Sequence, residues 1–504
     1  MEDRAILQRA ADQVRGALGS GDLAKIIAAY RKVLGDHPSL ADFWFDLGYY
    51  LRKNDQPTEA LEAYDKALAL GADGPEIVHL NRAVIFSDDL LDDERALGAL
   101  DAALECNPAC LPALLNLGNL REERGELDAA IACYERMLAA PATEDGRAGD
   151  HAVEAQARLV RLQALSGGGD AALVRLRADF ESGDRLPAEL RAKLGFTLGQ
   201  VLDRLGRYEE AFDAFLKANA IARAGCPPYD RARTERAVDA LITAPVPDRS
   251  RSGSGGGADL IFICGLHRSG SSLIERVLSM HPRVSASGEL GFIQRLAGRE
   301  LAPFPAGLAG LDRQRSAELA ERYRARLALL HPGAGKADSV YTDKRPQNFL
   351  LIGLVLTLFP EARIIHTVRD PRDIMISMFG QYLDPRGAAY STRLEDIAHY
   401  MGLHRKLADH WRSLYPQSIL DFDYDAFVRS PQDGLEALTE FAGLDADPGL
   451  LDFHRKPGTV RTASYWQVRS PLNTASSGRW RAYAEQMEPA LRLLQEGGLI
   501  AQSS

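Results

Sequence analysis

The residues with the clearest chemical potential are Gly265-Leu-His-Arg268-Ser269-Gly270-Ser271-Ser272, entered from the apolar run Leu260-Ile-Phe-Ile-Cys264 and left through an amphipathic stretch. A buried strand, a Gly/Ser turn and a helix N-terminus together make a phosphate-binding loop. Backbone N–H groups there point at an anion, and the helix dipole favours negative charge. The spacing follows G-x-x-x-x-G-K-[ST] with one exception: Ser271 stands at the lysine position, and Arg268 supplies positive charge from inside the loop. In a nucleotide triphosphatase that lysine reaches the β/γ-phosphates and the next hydroxyl holds magnesium. A loop without it is expected to hold a phosphate for different chemistry. A second cluster, Arg369-Asp370-Pro371-Arg372-Asp373, ends another apolar run, Ala362-Arg-Ile-Ile-His-Thr-Val368.

The elements that must position these groups are legible around them. Strands are expected at Asp259–Cys264, Val284–Ser287, Ala362–Val368 and Ser418–Asp423. Helices are expected from Ser271 to Met280, before Pro282, over Asp312–Leu330, and over Asn348–Phe359, ended by Pro360. Strands alternating with helices predict a three-layer α/β domain with a central parallel sheet and a loop like that of the P-loop proteins. Ligands of such sheets gather beyond the carboxyl ends of the strands, so the Gly265 loop and the Arg369 cluster can face one cleft.

The first half reads differently. Leu47-Gly48 and Leu117-Gly118 lie 70 residues apart, as do Pro38 and Pro108, close to twice the 34-residue tetratricopeptide period. Each Leu-Gly precedes a second helix of similar pattern, Glu59–Leu68 and Asp128–Leu138, with an intermediate unit around Asn81–Leu100 and a late one from Leu198-Gly199 to Phe215. Small residues (Gly48, Ala60, Ala130, Ala211) let paired helices approach, and Tyr64, Tyr134 and Phe215 fill the space between them. Residues 6–224 thus resemble tetratricopeptide repeats. Residues 140–190 match poorly, with Ser166-Gly-Gly-Gly-Asp170 as a turn between degenerate helices. The expected organisation is an all-α solenoid over residues 1–244, a Gly/Ser-rich linker over 245–258 and an α/β domain over 259–504.

Charge follows the same division. Residues 1–258 carry 31 Lys and Arg against 42 Asp and Glu, whereas the remainder carries 29 against 28. Neither half has the basic excess of a dedicated nucleic-acid binder. No apolar run reaches membrane-span length, and Met1-Glu-Asp-Arg-Ala-Ile-Leu lacks the flank and core of a signal peptide, so the expected location is cytoplasmic. The five cysteines are scattered, without C-x-x-C spacing, and read as reduced thiols rather than a disulfide framework or zinc site. No histidine cluster offers a metal site, and none is expected.

Further segments follow the loop in order. They are Ser287-Gly288-Glu289, Asp343-Lys344-Arg345-Pro346, Val368-Arg369-Asp370-Pro371-Arg372-Asp373-Ile-Met-Ile-Ser377, Tyr424-Asp425, Ser464, Gln467-Val468-Arg469-Ser470-Pro471 and Gly478-Arg479-Trp480. With these, residues 259–485 resemble the sulfotransferase family, nearest in motif to the tyrosylprotein sulfotransferases. Those relatives carry R-S-G-T-T, C-G-E, K-x-P, Q-V-I-K-P and S-K-W at the matching places. The resemblance implies the sulfuryl donor PAPS, with PAP as product. It implies that Arg268, Ser269, Gly270, Ser271 and Ser272 form the loop for the 5′-phosphosulfate, and that Arg369 and Ser377 meet the 3′-phosphate, to which Arg268 also offers charge.

The same resemblance gives the remaining roles. Lys344, assisted by Ser464, meets charge developing on the oxygen between sulfur and phosphorus, as an oxyanion site does. Glu289 is the base, since a buried glutamate can take a phenol proton. Arg479 stands where relatives have lysine and offers charge to the 3′-phosphate, and Tyr424 supports the donor or acceptor pocket.

Bland alternatives stand beside each role. Glu289 could be a solvated charge and Lys344 a surface lysine. Arg369 and Arg372 could pair with Asp370 and Asp373, a structural role preferred for Arg372. His267 could merely shape the loop, and His281 is a second choice of base, although it and His366 read as packed. The favoured acceptor is a peptide or protein tyrosine, with a glycan or small phenol as alternatives. The repeat array would hold a peptide or protein partner or mediate assembly. Two rivals remain: a small-molecule kinase, opposed by Ser271, and a non-catalytic scaffold with a relic nucleotide fold.

Overall fold

The structure, a computed structural model, describes residues 2–140, 147–165, 170–181, 186–244, 256–332, 338–456, 458–461 and 467–501. Packing divides the chain into two compact units, Met1–Leu159 and Val160–Ser504. Composition changes at the linker, whose residues 245–255 lie outside the described ones. The packing division falls much earlier, so the late repeat belongs to the second unit.

The first unit is helical: α1 (Glu2–Ser20), α2 (Leu23–Asp36), α3 (Ala41–Lys53), α4 (Pro57–Ala69), α5 (Pro75–Val84), α6 (Asp93–Cys106), α7 (Leu111–Arg124), α8 (Leu127–Ala139) and the start of α9 (Arg147–Leu165). The Leu-Gly signature has a steric cause. A Cβ on Gly48 would lie 2.7 Å from the Tyr64 ring, and one on Gly118 would lie 2.6 Å from the Tyr134 ring. Each glycine on the first helix of a pair admits the wholly buried tyrosine of the second.

The second unit begins with α10 (Asp170–Glu181), α11 (Ala188–Arg204), α12 (Tyr208–Ala224) and α13 (Arg231–Thr243). The proposed turn at 166–169 lies outside the described residues, and Asp170 opens α10. The α11–α12 pair repeats the same lock with a phenylalanine: a Cβ on Gly199 would lie 2.3 Å from the Phe215 ring.

Five parallel strands follow: β1 (Leu260–Gly265), β2 (Val284–Ala286), β3 (Val340–Lys344), β4 (Arg363–Val368) and β5 (Ile419–Asp423), in the order β2-β3-β1-β4-β5. Every residue of β1 is buried, as its unbroken apolar run requires of a strand covered on both faces. Ile261 and Ile263 join the core containing Leu273 and Ile274 of α14 (Ser271–Leu278), together with Leu435 and Leu438. Phe262 turns the other way, its ring 5.7 Å from Tyr323 and 6.4 Å from Phe359. This gives the three layers expected from sequence.

Strand β3 is the element that sequence patterning missed. Val340-Tyr-Thr-Asp-Lys344 is mostly polar, yet it lies between β2 and β1 and buries Thr342, Asp343 and Lys344. Asp343 is accommodated by hydrogen bonds from Tyr323 (2.8 Å) and Asn348 (3.0 Å), and burial pushes its carboxyl up to about 7. The expected helix over Asn348–Phe359 begins instead as a 3₁₀ turn, Pro346–Leu351, before α17 (Ile352–Leu358). In chain order α15 is Phe292–Glu300, α16 is Arg313–Leu330, and α18, after β4, is Pro371–Phe379. Among the described residues, no helix is long and apolar enough to cross a membrane.

Candidate functional site

The sheet register aligns the ends of three strands. Gly265 at the end of β1 pairs with Thr367 of β4, and Ile263 pairs with Lys344 at the end of β3. The loop leaves β1 through a backbone that only glycine tolerates. Gly265 has φ +148°, and a Cβ there would lie 2.5 Å from Thr367 Oγ1 and 2.7 Å from Ser269 Oγ. Ser269 is wholly buried and locks the turn, its Oγ bonded to Leu266 O at 2.7 Å and to Thr367 Oγ1 at 2.6 Å. Its N–H donates to Leu266 O as well. Ser269 therefore shapes the loop from within. Gly270, with φ +103°, precedes the first turn of α14, where helix N–H groups have no intrahelical acceptor.

Arg268 adopts φ +70°, a left-handed conformation that non-glycine residues rarely hold outside functional turns. That conformation turns its guanidinium towards α18, where Nε donates to Ser377 Oγ at 2.9 Å. Arg369 comes from the end of β4 and donates to Arg268 O at 3.1 Å and to Ser476 O. Its guanidinium lies 4.7 Å from the centre of the Tyr424 ring, and that ring packs against Gly270. The buried Nε of Arg369 has no hydrogen-bond partner among the described residues. Burial, then the neighbouring Arg369 charge, pushes Arg268 down to about 10. Arg268, Ser377, Arg369 and Tyr424 are thus brought together at a cationic loop end.

Glu289 and Lys344 form the second half of the site. Lys344 is wholly buried, and its Nζ donates to Glu289 Oε1 at 2.7 Å. The Ser287-Gly288-Glu289 turn is pinned from both sides: Lys344 N–H donates to Gly288 O at 2.9 Å, and Gly288 N–H donates to Glu275 Oε1 at 3.1 Å. The Glu289 side chain is 38 % exposed, so the buried base expected from sequence is instead a carboxylate at the surface of the cleft, held by a buried cation. His267 sits between the halves, with Nδ1 2.8 Å from Tyr390 Oη and Nε2 3.1 Å from Gln347 Nε2. Burial, outweighing the attraction of Glu289, pushes His267 down to about 4.

Several sequence candidates lie elsewhere. Ser464 is outside the described residues. Arg479 pairs with Asp203 of α11. Arg372 pairs with Asp370 and stacks on Trp480, whereas Asp373 accepts the N–H groups of Gly478 (2.6 Å) and Trp480 (2.9 Å) instead of pairing with an arginine. His281 accepts Arg283 N–H at 3.2 Å, and His366 lies between Asp421 (2.6 Å) and His404 (3.1 Å). Sequence reasoning passed over Thr367, Glu275 and Asp203 as shaping residues and named Asp373 only as a partner for an arginine. Only Glu275 left a signal, a carboxylate inside the otherwise apolar face of α14.

Residues 259–448 match the model of the Sulfotransferase family. Residues 3–148 match a cytochrome c-type biogenesis protein H TPR domain, and residues 193–224, the α11–α12 pair, match a tetratricopeptide repeat. An uncharacterized protein of Aquifex aeolicus (strain VF5) is 27 % identical over 446 residues, covering 82 % of this chain and 54 % of the relative. The chain thus spans about half the length of that relative. The protein-tyrosine sulfotransferase of Drosophila melanogaster is 22 % identical over 235 residues, covering 44 % of this chain and 46 % of the relative. Among solved structures, the sulfotransferase domain of the Synechococcus PCC 7002 olefin synthase aligns with TM-score 0.35 and 19 % identity, over 52 % of this chain and 99 % of that one. By the family matches, the chain carries tetratricopeptide repeats and, over residues 259–448, a sulfotransferase domain.

Proposed function

We propose that the protein transfers a sulfuryl group from PAPS to a hydroxyl acceptor, with a peptide or protein tyrosine favoured and the repeats as the peptide- or protein-binding or assembly surface. The observation that carries the proposal is the meeting of Arg268, Ser377 and Arg369 beside the Lys344–Glu289 pair, across the aligned ends of three parallel strands. The residues fit such a donor. Two partly buried guanidiniums make a cationic end, and among the described residues the buried Nε of Arg369 has no hydrogen-bond partner.

In this proposal PAPS supplies an activated sulfuryl group. Arg268, Arg369 and Ser377 hold its 3′-phosphate, and the first turn of α14, with the hydroxyls of Ser271 and Ser272, holds its 5′ end. Tyr424 supports the pocket by packing on Arg369 and Gly270. Glu289 takes the acceptor proton as the acceptor oxygen bonds to sulfur and the sulfur–oxygen bond to the phosphate breaks. Lys344 neutralises the charge left on that oxygen, and Ser464 is its proposed assistant. The contact at 2.7 Å holds Lys344 Nζ and the Glu289 carboxylate against each other, where both roles place them. Arg479 acts through the segment that carries it.

A tyrosine acceptor rests on the tyrosylprotein-type motifs and on the protein-tyrosine sulfotransferases among the relatives. A glycan or small phenol is the second reading, favoured by the exposure of Glu289, which does not discriminate among hydroxyls. The proposal carries a cytoplasmic location with it, checked by fractionation. Purified full-length protein should bind PAP without magnesium and transfer labelled sulfate from PAPS to tyrosine peptides. Magnesium-dependent ATP binding with phosphate transfer would overturn the proposal, and no transfer to any peptide, glycan or phenol would favour the scaffold.

A further inference from the structure

The last repeat pair is built into the walls of the proposed donor site. Helix α18 starts beside Arg369, carries Ser377, and ends against α12. There Asn219, only 2 % exposed, donates through Nδ2 to Phe379 O at 2.8 Å, and Gln200 of α11 donates to Gly380 O at 3.0 Å. These bonds satisfy carbonyls that a helix C-terminus leaves without partners. Phe212 packs on Phe379 with ring centres 5.4 Å apart.

The strap 476–483 makes a second connection. Its first residue accepts Arg369 through Ser476 O, and Ser477 Oγ donates to Asp425. Its middle is gripped by Asp373 of α18 through the Gly478 and Trp480 amides. Its end is gripped by Asp203 of α11, which pairs with Arg479 and accepts Tyr483 Oη at 2.5 Å. The Tyr483 ring is buried edge-on against Tyr208 at 5.5 Å. The Asp203 side chain is 14 % exposed and that of Arg479 41 %, so the repeat-side anchor is the more buried partner of this ion pair.

We infer that Asp203 of the terminal repeat is a positioning residue for the donor site: it holds the 476–483 strap, and the strap holds Arg369. The inference rests on the donor proposal above. It makes the terminal repeat part of the sulfotransferase site and leaves partner binding to the earlier repeats. Asp203 touches no reacting group, and its effect passes through Arg479, Tyr483 and the carbonyl of Ser476.

The test uses the full chain with Asp203→Asn. Hydrogen exchange of the 476–483 amides should rise, and PAP affinity measured by calorimetry should fall about tenfold, the scale of one charge-assisted contact. The KM for PAPS should rise in step while kcat at saturating donor stays unchanged, a split that general destabilisation would not produce. Asp203→Glu should restore much of the loss. If Asp203→Asn does not fold, Tyr483→Phe removes one bond, keeps the ion pair and should move the same readouts less. Unchanged strap exchange would overturn the inference, and so would faster exchange with unaltered PAP affinity and donor KM. A wild-type protein that binds no PAP refutes the donor proposal itself, while the exchange measurement still decides whether Asp203 holds the strap.

Discussion

Two repeat pairs of this chain use the same lock for different ends. In α7–α8, Gly118 admits Tyr134, whose hydroxyl lies 2.9 Å from both Glu122 and Asn119, and Arg158 approaches Glu122 at 3.5 Å. Every one of these polar groups serves the array itself. In α11–α12, Gly199 admits Phe215, which has no hydroxyl, and the far side of that ring packs on Gly380, whose Cβ would lie 3.0 Å away. Three polar residues of this pair, Gln200, Asp203 and Asn219, bond to the sulfotransferase domain. Repeat architecture comes from the small-to-large fit. What a repeat serves comes from the polar groups it turns outward.

The largest effects should come from the site that only the second region supports. Glu289→Gln should slow sulfate transfer by ~10²–10⁴-fold, and Lys344→Met by ~10²–10³-fold, both measured at saturating PAPS with PAP binding retained. Full turnover in Glu289→Gln would remove Glu289 as base and leave the domain's family intact.

The comparison itself is tested by Gly199→Ala and Gly118→Ala. Each forces a Cβ into an aromatic ring and should cost about 1–3 kcal/mol by overpacking, read as local hydrogen exchange. Donor KM should rise only for Gly199→Ala. An equal rise for Gly118→Ala would erase the distinction between the two regions. A smaller effect is expected for Tyr134→Phe, which makes this pair resemble α11–α12 and removes one of the bonds to Glu122. It should cost about 0.5–1.5 kcal/mol, seen by denaturant unfolding of the first unit, with transfer to a small phenol unchanged.

The smallest effect is a pH dependence. His267 lies at about 4, below its ordinary 6.5, so between those values the unfolded chain binds more protons than the folded one. Its contribution to stability is complete above pH 6.5 and is lost as pH falls towards 4. In His267→Gln the stability curve over that window should be flatter than in wild type, and an identical slope would remove His267 as its source.

The sequence by itself determined the parts whose cause is local. The run from Leu260 to Ser272 specifies strand, turn and helix start because a continuous apolar strand, positive-φ glycines and a helix N-terminus are contiguous in the chain. The repeats are equally legible, since a glycine and an aromatic at fixed spacing encode how paired helices touch. Only the tertiary structure decided the rest. The family resemblance singles out Lys344, but only the insertion of polar β3 between β2 and β1 buries it against Glu289, 55 residues earlier. Ser269 reads as part of the phosphate loop, and only the fold shows its hydroxyl bonded to Thr367. Arg479 reads as a donor contact until Asp203 of a repeat claims it. These outcomes depend on strand order and on which helix packs on which end. Spacing along the chain does not encode such long-range pairings, because a buried charge takes whatever partner the fold brings within reach.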